Sequence, residues 1–223
     1  MKLAERLSQA IAGGICQIGQ ISIRPDFAGA AYALCHIEDT GIDPHTLEIH
    51  NGSAAARDLS TWAEDGHYRF NKSELSLKHG WLLRLSSVEE LKYALDLFYP
   101  AAVGLWFASQ DGRLEVEHLR DKLNRQTGMY RFARNLSDAG AQRLVREVCG
   151  PANACAKKIL WQIDPETPLE DSEANRYDGV VGDIDRAKAI PLLCREACNH
   201  LVAEARKASK AESDAKKAAS AGS

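Results

Sequence analysis

The chain has 223 residues, of which 45% are hydrophobic and 26% charged, with a formal net charge of −3. This length is enough for one large domain or two small ones with an apolar core. The balanced charge is not that of a polybasic nucleic-acid-binding protein, and no apolar run approaches the roughly 20 residues that cross a bilayer. We therefore expect neither nucleic acid nor a membrane as partner.

The first 20 residues do not predict a cleaved signal peptide. The segment MKLAERLSQAIAGGICQIGQ carries Glu5 and Arg6 and has no clean apolar stretch. A cytoplasmic location is therefore expected. In that reducing compartment, six cysteines serve more often as metal ligands, catalytic groups or small core residues than as disulfides.

The first half of the chain predicts an α+β fold. Leu3, Leu7 and Ile11 lie four apart, as on one face of a short helix. The segments ICQIGQISIR, AAYALCHIED and HTLEIH read as short strands between Pro, Gly and Asn-Gly turns, and GWLLRLSS reads as one more. Together they predict a small N-terminal antiparallel sheet with helices.

Two further helices are predicted from capping residues. Ser53 is a plausible N-cap for SAAARDLSTWAEDG. Ser87 and Glu90 have capping-box spacing at the start of another helix, and Pro100 is expected to break or kink that helix near Tyr99.

From Leu114 onward the sequence predicts a mostly helical, cluster-binding part. GRLEVEHLRDKLNRQTG and LSDAGAQRLVREVCG are periodic, the second with Ser137 as cap, and a last helix is expected to begin near Ala187 or Pro191. The acidic segment DPETPLEDSEANRYDGVVGDID predicts a surface loop. The predicted organisation is an α+β part over 1–113, a helical iron–sulfur-binding part over 114–208 and a disordered tail over 209–223.

Four cysteines form two close pairs in the C-terminal third. Five residues separate Cys149 from Cys155, and three separate Cys194 from Cys198, which would share one face of a helix. Zinc usually takes Cys-x2-Cys to Cys-x4-Cys, whereas the thiolates of a [4Fe-4S] cluster can be spread more widely. The spacing favours a cluster without excluding zinc; two disulfides or four unrelated buried cysteines are further alternatives.

The residues around these cysteines suit a buried negative charge. A cysteine-ligated cluster needs cations or N–H donors nearby. Four basic residues lie within three positions of a cysteine: Arg146, Lys157, Lys158 and Arg195. Trp161 and its aliphatic neighbours could shield such a site from water.

A series of short motifs resembles a known family. The motifs are GW at Gly80–Trp81, FYP at Phe98–Pro100, RQTGMYR at Arg125–Arg131 and the two cysteine pairs. From about Ser22 to Arg206 the chain resembles the iron–sulfur ([4Fe-4S]) domain that follows sirohydrochlorin or cobalt chelatase-like modules in cobalamin-biosynthesis-type proteins.

The resemblance implies a ligand set and a second group of site residues. The implied cluster ligands are Cys149, Cys155, Cys194 and Cys198. The implied cofactor-binding residues are Arg125, Thr127, Tyr130 and Arg131. Arg131 could neutralise cluster charge and Tyr130 could donate to a sulfur. The alternative is that RQTGMYR is a helix–turn element packed only for structure.

A complete chelatase module is not expected in this chain. None of its seven histidines forms a His-x-x-His or His-Glu-x-x-His pair. The resemblance therefore implies the iron–sulfur module alone, with a tetrapyrrole chelatase or a redox partner protein as the expected partner.

Three functions are compatible with these residues. The first is a cluster-binding protein that transfers electrons or senses redox state, in tetrapyrrole or cobalamin metabolism. The second is an interaction module stapled by an iron–sulfur cluster or zinc. The third is an enzyme with a pocket near Arg125–Arg131, whose catalytic residues the sequence does not identify. A fully Cys-ligated cluster has no open iron site, which favours the first two.

The end of the strand AAYALCHIED carries a small polar group. Cys35 and His36 are adjacent, so their side chains point to opposite faces, and we expect a core cysteine and a surface histidine. A second metal site formed by His36, Glu38 and Asp39 is the less favoured alternative.

Overall fold

The computed structural model describes residues 2–26, 29–60, 77–149, 155–166 and 180–221. The chain divides into two compact units, the first made of Met1–Arg113 with Gly179–Leu192 and the second of Leu114–Asp178 with Leu193–Ser223. Sheet and helices occur in the first unit and mainly helices in the second, which confirms the α+β class. No helix in these described ranges is long and apolar enough to cross a membrane.

The first unit alternates short strands with helices. Its strands are β1 (Gln17–Ile18), β2 (Ile21–Pro25), β3 (Tyr32–His36), β4 (Glu48–Asn51), β5 (Trp81–Leu85) and, from far downstream, β7 (Ala189–Ile190). Its α-helices are α1 (Leu3–Ala12), α2 (Ala56–Ser60), α3 (Val88–Phe98) and α4 (Ala102–Gln110). Single-turn 3-10 helices span Ile37–Asp39, Pro44–Thr46, Ser53–Ala55 and Arg186–Lys188.

The sheet is antiparallel in its centre and parallel at its edges. In the described part of the chain its order is β4-β5-β3-β2-β1-β7. The pairs β1–β2, β2–β3 and β3–β5 are antiparallel, as the sequence predicts. The outer strands β4 and β7 pair in parallel with β5 and β1. Parallel partners require long crossover connections, so local patterns do not reveal them.

The predicted boundaries of α3 are confirmed. Ser87 is the N-cap, and its Oγ accepts a hydrogen bond from the Glu90 N–H at 3.2 Å. The Glu90 carboxylate accepts from the Ser86 N–H at 2.7 Å, so Ser86 takes the reciprocal role that a capping box gives to the N-cap residue. The helix ends at Phe98, before Pro100, and the rings of Phe98 and Trp81 stack at 5.4 Å between centroids within the core.

The predicted helix at SAAARDLSTWAEDG is present in part. Ser53–Ala55 forms a 3-10 turn whose N-cap is Gly52 rather than Ser53, and α2 follows to Ser60. Residues 61–66 of the prediction lie outside the described residues.

A tight turn joins β1 to β2 against an aromatic ring. Gly19 has φ +51°, and a Cβ added there would lie 2.5 Å from the Tyr99 ring. The Gln20 N–H donates to the Tyr99 hydroxyl at 2.9 Å. Glycine is therefore required here twice, by its backbone conformation and by the close approach of the ring.

His36 lies in the interior, which corrects the prediction of a surface histidine. Only 2% of His36 is exposed, because β3 is a central strand of the sheet. Asp39, which follows the end of β3, is also buried, and its carboxylate accepts a hydrogen bond from the Gly80 N–H at 2.6 Å. His36 Nδ1 accepts from the Glu38 N–H at 3.2 Å. Burial lowers the pKa of His36, an effect that the nearby carboxylates of Glu38 and Asp39 oppose and His79 reinforces.

This lowered pKa predicts that the protein loses stability in mild acid. An unfolded histidine titrates near pH 6.5 and His36 titrates lower when folded. Between these two pKa values the unfolded state binds more protons, so the free energy of unfolding falls as the pH falls below about 6.5, by at most about 1.4 kcal/mol per pH unit. Chemical unfolding from pH 7.5 to pH 5 measures this slope.

The matched variants for this prediction are His36→Gln and His200→Gln. The first should flatten the slope between pH 7 and pH 5. The second, at an exposed histidine, should leave it intact. An unchanged slope in His36→Gln would show that other groups cause the pH dependence.

The second unit is mostly helical, with one two-stranded sheet. Its helices are α5 (Leu119–Asn124), a 3-10 helix (Gly128–Asn135), α6 (Asp138–Cys149) and α7 (Asn199–Ala221). Its strands are β6 (Lys158–Ile159) and β8 (Leu193–Cys194), which pair in parallel. The predicted cap of α6 is present, since the Ser137 Oγ accepts from the Gly140 N–H at 3.0 Å.

Two helix predictions in this unit are wrong in extent. GRLEVEHLRDKLNRQTG is helical only over α5, because the Leu119 and Arg120 N–H groups donate to the carbonyls of Gln162 and Ile163 instead of extending a helix. The last helix begins at Asn199, not near Ala187 or Pro191. The intervening residues form β7 and β8.

The predicted disordered tail over 209–223 is corrected as far as Ala221, where α7 ends; residues 222–223 lie outside the described residues. Ser209 is buried and its hydroxyl donates to the Phe132 carbonyl at 2.7 Å. The Glu212 carboxylate accepts from the Ser137 N–H at 3.1 Å and the Ser137 hydroxyl at 2.8 Å. These contacts tie the small, charged segment to the 3-10 helix and to the start of α6.

Candidate metal centre

The four cysteines of the two pairs all belong to the second unit. Cys149 is the last residue of α6 and is buried in the apolar core of this unit. Cys155 and Cys194 are partly buried, and Cys198 is exposed immediately before α7. All four are free thiols.

The sheet β6–β8 places Cys194. Ile159 is the register partner of Cys194, and the Leu160 N–H donates to the Cys194 carbonyl at 3.0 Å. Cys194 is therefore in a strand and Cys198 outside it, so the prediction that both share one helix face is wrong. The chain turns between them, and the Cys198 Sγ accepts from the Leu201 N–H at 3.5 Å in the first turn of α7.

Trp161 supplies a hydrogen-bond donor to this group. Its ring is 2% exposed, and its Nε1–H donates to the Cys194 sulfur at 3.4 Å. The sequence predicts that Trp161 shields the site from water, but it does not predict this hydrogen bond. The bond depends on the register in which β6 pairs with β8, which local sequence patterns do not reveal. Donors to cysteine sulfur are among the features that set the reduction potential of iron–sulfur centres.

The thiols influence one another's ionisation. Burial raises the pKa of Cys149, and the charges of Cys155, Cys198 and Cys194 raise it further. Burial also raises the pKa of Cys194, while the Trp161 hydrogen bond and the charge of Lys157 lower it. Cys194 also packs against the apolar core cluster that contains Cys149, so one thiol of each pair lies in the same part of the second unit.

The residues of this neighbourhood fit an iron–sulfur cluster by their chemistry. They provide four thiols, an N–H donor to sulfur, a lysine charge and an apolar wall that includes Ile159 and Trp161. Among the described histidine, cysteine, aspartate and glutamate residues, no group of three is arranged to hold a single metal ion.

The RQTGMYR motif is largely on the surface. Arg125 pairs with Glu117, whose N–H donates to the Arg195 carbonyl at 3.1 Å. Glu117 therefore connects Arg125 to Arg195, the residue that follows Cys194. The sequence does not predict this connection between Arg125 and Arg195. Its pattern predicts a helix around Glu117, in which the Glu117 N–H would bond within the helix instead of to the Arg195 carbonyl.

The other residues of the motif contact protein side chains around the 3-10 helix. Thr127 is its N-cap residue. The Arg131 guanidinium lies 4.7 Å from the centre of the Phe132 ring, and the Arg206 guanidinium lies 6.0 Å from that of Tyr130. Cofactor binding by Arg125, Thr127, Tyr130 and Arg131 stays a prediction.

Two family matches divide the chain at nearly the same place as its compact units. Residues 111–207 match the family described as a 4Fe-4S iron–sulfur cluster binding domain. Residues 3–110 match the family described as the DR2241 stabilising domain. No curated protein matches the chain.

A solved structure shares the fold. It is DR2241 from Deinococcus radiodurans, described as a multi-domain protein with structural similarity to chelatases and two additional novel domains. The TM-score is 0.71 at 23% sequence identity, over 94% of this chain. The chain spans 42% of the length of DR2241.

Proposed function

We propose that this protein is an electron carrier whose cluster is held by Cys149, Cys155, Cys194 and Cys198, because residues 111–207 match the family described as a 4Fe-4S iron–sulfur cluster binding domain. The observation that supports this role is the graded exposure of the four thiols. Cys149 lies in the core, whereas Cys198 is exposed. A cluster bound by this set would lie within a side chain of the surface, as exchange of single electrons with another protein requires.

The chain's own residues would set the properties of that centre. The cluster would supply one-electron chemistry when bound. Cys149 anchors one side of the site to the core of the second unit, and Ile159 and Trp161 exclude water. The Trp161 N–H stabilises negative charge on the Cys194 sulfur, and Lys157 adds a positive charge close to it.

We also propose that the electrons serve tetrapyrrole or cobalamin metabolism, in the cytoplasm. The similarity of DR2241 to chelatases supports this assignment. The partner would be a tetrapyrrole chelatase or another redox protein that contacts the second unit.

The structural alternative has one supporting observation. Cys149 is buried among apolar side chains of the core, so a bound cluster or zinc would also staple α6 to the strands that follow it. A cluster or zinc ion with a purely structural role needs no accessible reduction potential. Reduction of the bound centre therefore distinguishes the structural role from electron transfer.

The test is anaerobic purification followed by reductive titration. We expect a brown protein that contains iron and sulfide in equal amounts and whose visible absorption bleaches reversibly with dithionite. A coloured protein that dithionite does not reduce would favour the staple. A colourless, iron-free protein loaded with zinc would reject the cluster.

The variant Trp161→Phe sharpens this test. It keeps an aromatic wall but removes the N–H donor to the Cys194 sulfur. Loss of the donor destabilises the more negative, reduced form, so the midpoint potential should fall by an amount on the order of tens of millivolts. The matched control is Trp106→Phe in α4, which should leave the potential unchanged. Equal potentials in all three proteins would contradict the placement of the cluster at Cys194.

A further inference from the structure

The 3-10 helix Gly128–Asn135 exposes large apolar side chains. Met129 is 60% exposed, Phe132 47% and Tyr130 37%. Only Ala133 of this helix is buried. Methionine and aromatic side chains are enriched at the centres of protein–protein interfaces, so a group of three at neighbouring positions marks a contact surface.

A cleft runs beside this apolar group. Its volume is about 940 Å³. One wall is Phe132 with Asn135, and the other is the exposed face of α7 from Arg206 to Ser220. At 1.5 Å per helical residue, those 14 steps measure about 21 Å, which is the length of about six residues of extended chain. This face of α7 is therefore long enough to contact a short peptide segment.

The charge of the cleft is positive. Five basic side chains line it: Arg206, Lys207, Lys210, Lys216 and Lys217. The two carboxylates of the lining are Glu212, which is engaged with Ser137 and Arg143, and Asp214.

Several of these cations have no carboxylate partner among the described residues. Lys207 pairs with Glu204 at 2.7 Å. The positive charge of Lys216 favours the ionised form of Glu212 and so lowers its pKa. Within the described ranges, Arg206, Lys210 and Lys217 form no ion pair with a carboxylate, and neither do Arg131 and Arg134 of the adjacent 3-10 helix. Arginines that form no ion pair with a described carboxylate, beside an apolar centre, complement an acidic surface with an apolar anchor.

We propose that this cleft, lined by Phe132 and the Arg206–Ser220 face of α7, is a docking site for an acidic segment of a partner protein. An apolar side chain of that segment would pack on Phe132, which lines the cleft. Its carboxylates would lie along Arg206, Lys210 and Lys217. The site does not depend on whether the bound cluster carries electrons.

The test begins with selection of peptides from a random displayed library on the immobilised full-length protein. The expected consensus carries two or more acidic residues beside an aromatic or aliphatic residue. A synthetic peptide of that consensus, labelled with a fluorophore, should bind with an affinity that falls steeply as sodium chloride is raised.

Two cleft variants and two matched controls locate the site. Phe132→Ser and Arg206→Glu should each weaken binding of the peptide by about tenfold or more. Tyr93→Ser and Arg57→Glu change an exposed tyrosine and an exposed arginine of the first unit and should leave binding unchanged. Circular dichroism checks that all four variants fold.

Three outcomes would overturn the proposal. One is a consensus without acidic residues. Another is an acidic peptide whose affinity is the same for the cleft variants and the wild type. The third is tighter binding, at equal salt, of a single-stranded oligothymidine to the wild type than to Arg206→Glu in the absence of any selected acidic peptide, which would assign the cleft to nucleic acid.

Discussion

Replacement of Cys194 by serine is expected to abolish the visible absorption of the anaerobically purified protein. The Cys194 sulfur accepts a hydrogen bond from the Trp161 N–H, and Cys194 packs against the core cluster that contains Cys149. Serine keeps the volume but is a poor ligand for iron. Because metal binding and folding are linked, the free energy of unfolding should fall by about 4 kcal/mol.

The measurements are a visible spectrum, iron analysis and a thermal melt. For a chain of this length, a loss of about 4 kcal/mol lowers the melting temperature by about 8–16 °C. The matched control is Cys16→Ser, a partly buried free cysteine of the first unit, which should keep colour and melting temperature. A brown Cys194→Ser protein with an unchanged melt would remove Cys194 from the ligand set.

Replacement of Gly19 by alanine is expected to be the most damaging of the glycine-to-alanine changes at the described glycines of the first unit. The new Cβ would lie 2.5–2.8 Å from three atoms of Tyr99, namely two ring carbons and the hydroxyl oxygen. Tyr99 is 4% exposed and its hydroxyl holds the Gln20 N–H, so the ring cannot move without loss of that bond. Overpacking and the left-handed backbone together should cost about 3 kcal/mol.

Gly128→Ala is the matched control for this change. Gly128 has φ +56°, close to the +51° of Gly19, but nothing lies within 4 Å of an added Cβ. The control therefore reports the backbone cost alone, about 1 kcal/mol. Urea unfolding of both variants gives the difference. Equal losses of stability at the two positions would show that the Tyr99 ring yields to the methyl group.

Local signals in the sequence predict the elements of the first unit well. Ser87 and Pro100 bracket α3, and the alternating segments become β2, β3 and β5. These signals are short-range: a hydroxyl caps a helix three residues away, and a proline ends one within a turn. The pairing of β7 with β1 depends on residues more than 170 positions apart in the chain, and no local pattern encodes it.

Around the candidate metal centre the sequence does not predict how the cysteines are arranged. Spacing four apart suggests one helix face for Cys194 and Cys198, but pairing of Cys194 with Ile159 overrides helix formation. Composition likewise predicts disorder after residue 208, but the hydrogen bonds of Ser209 and Glu212 hold that segment as helix. In both cases tertiary contacts decide the local conformation.

The position of β7 affects the order in which the chain can fold on the ribosome. Strand β1 gains its second neighbour only when Ala189 and Ile190 have been synthesised, so the nascent first unit carries an unpaired strand edge until then. Cys149 and Cys155 emerge before that moment, and Cys194 and Cys198 directly after it. Closure of the N-terminal sheet and delivery of the last two thiols therefore fall in the same short interval of synthesis.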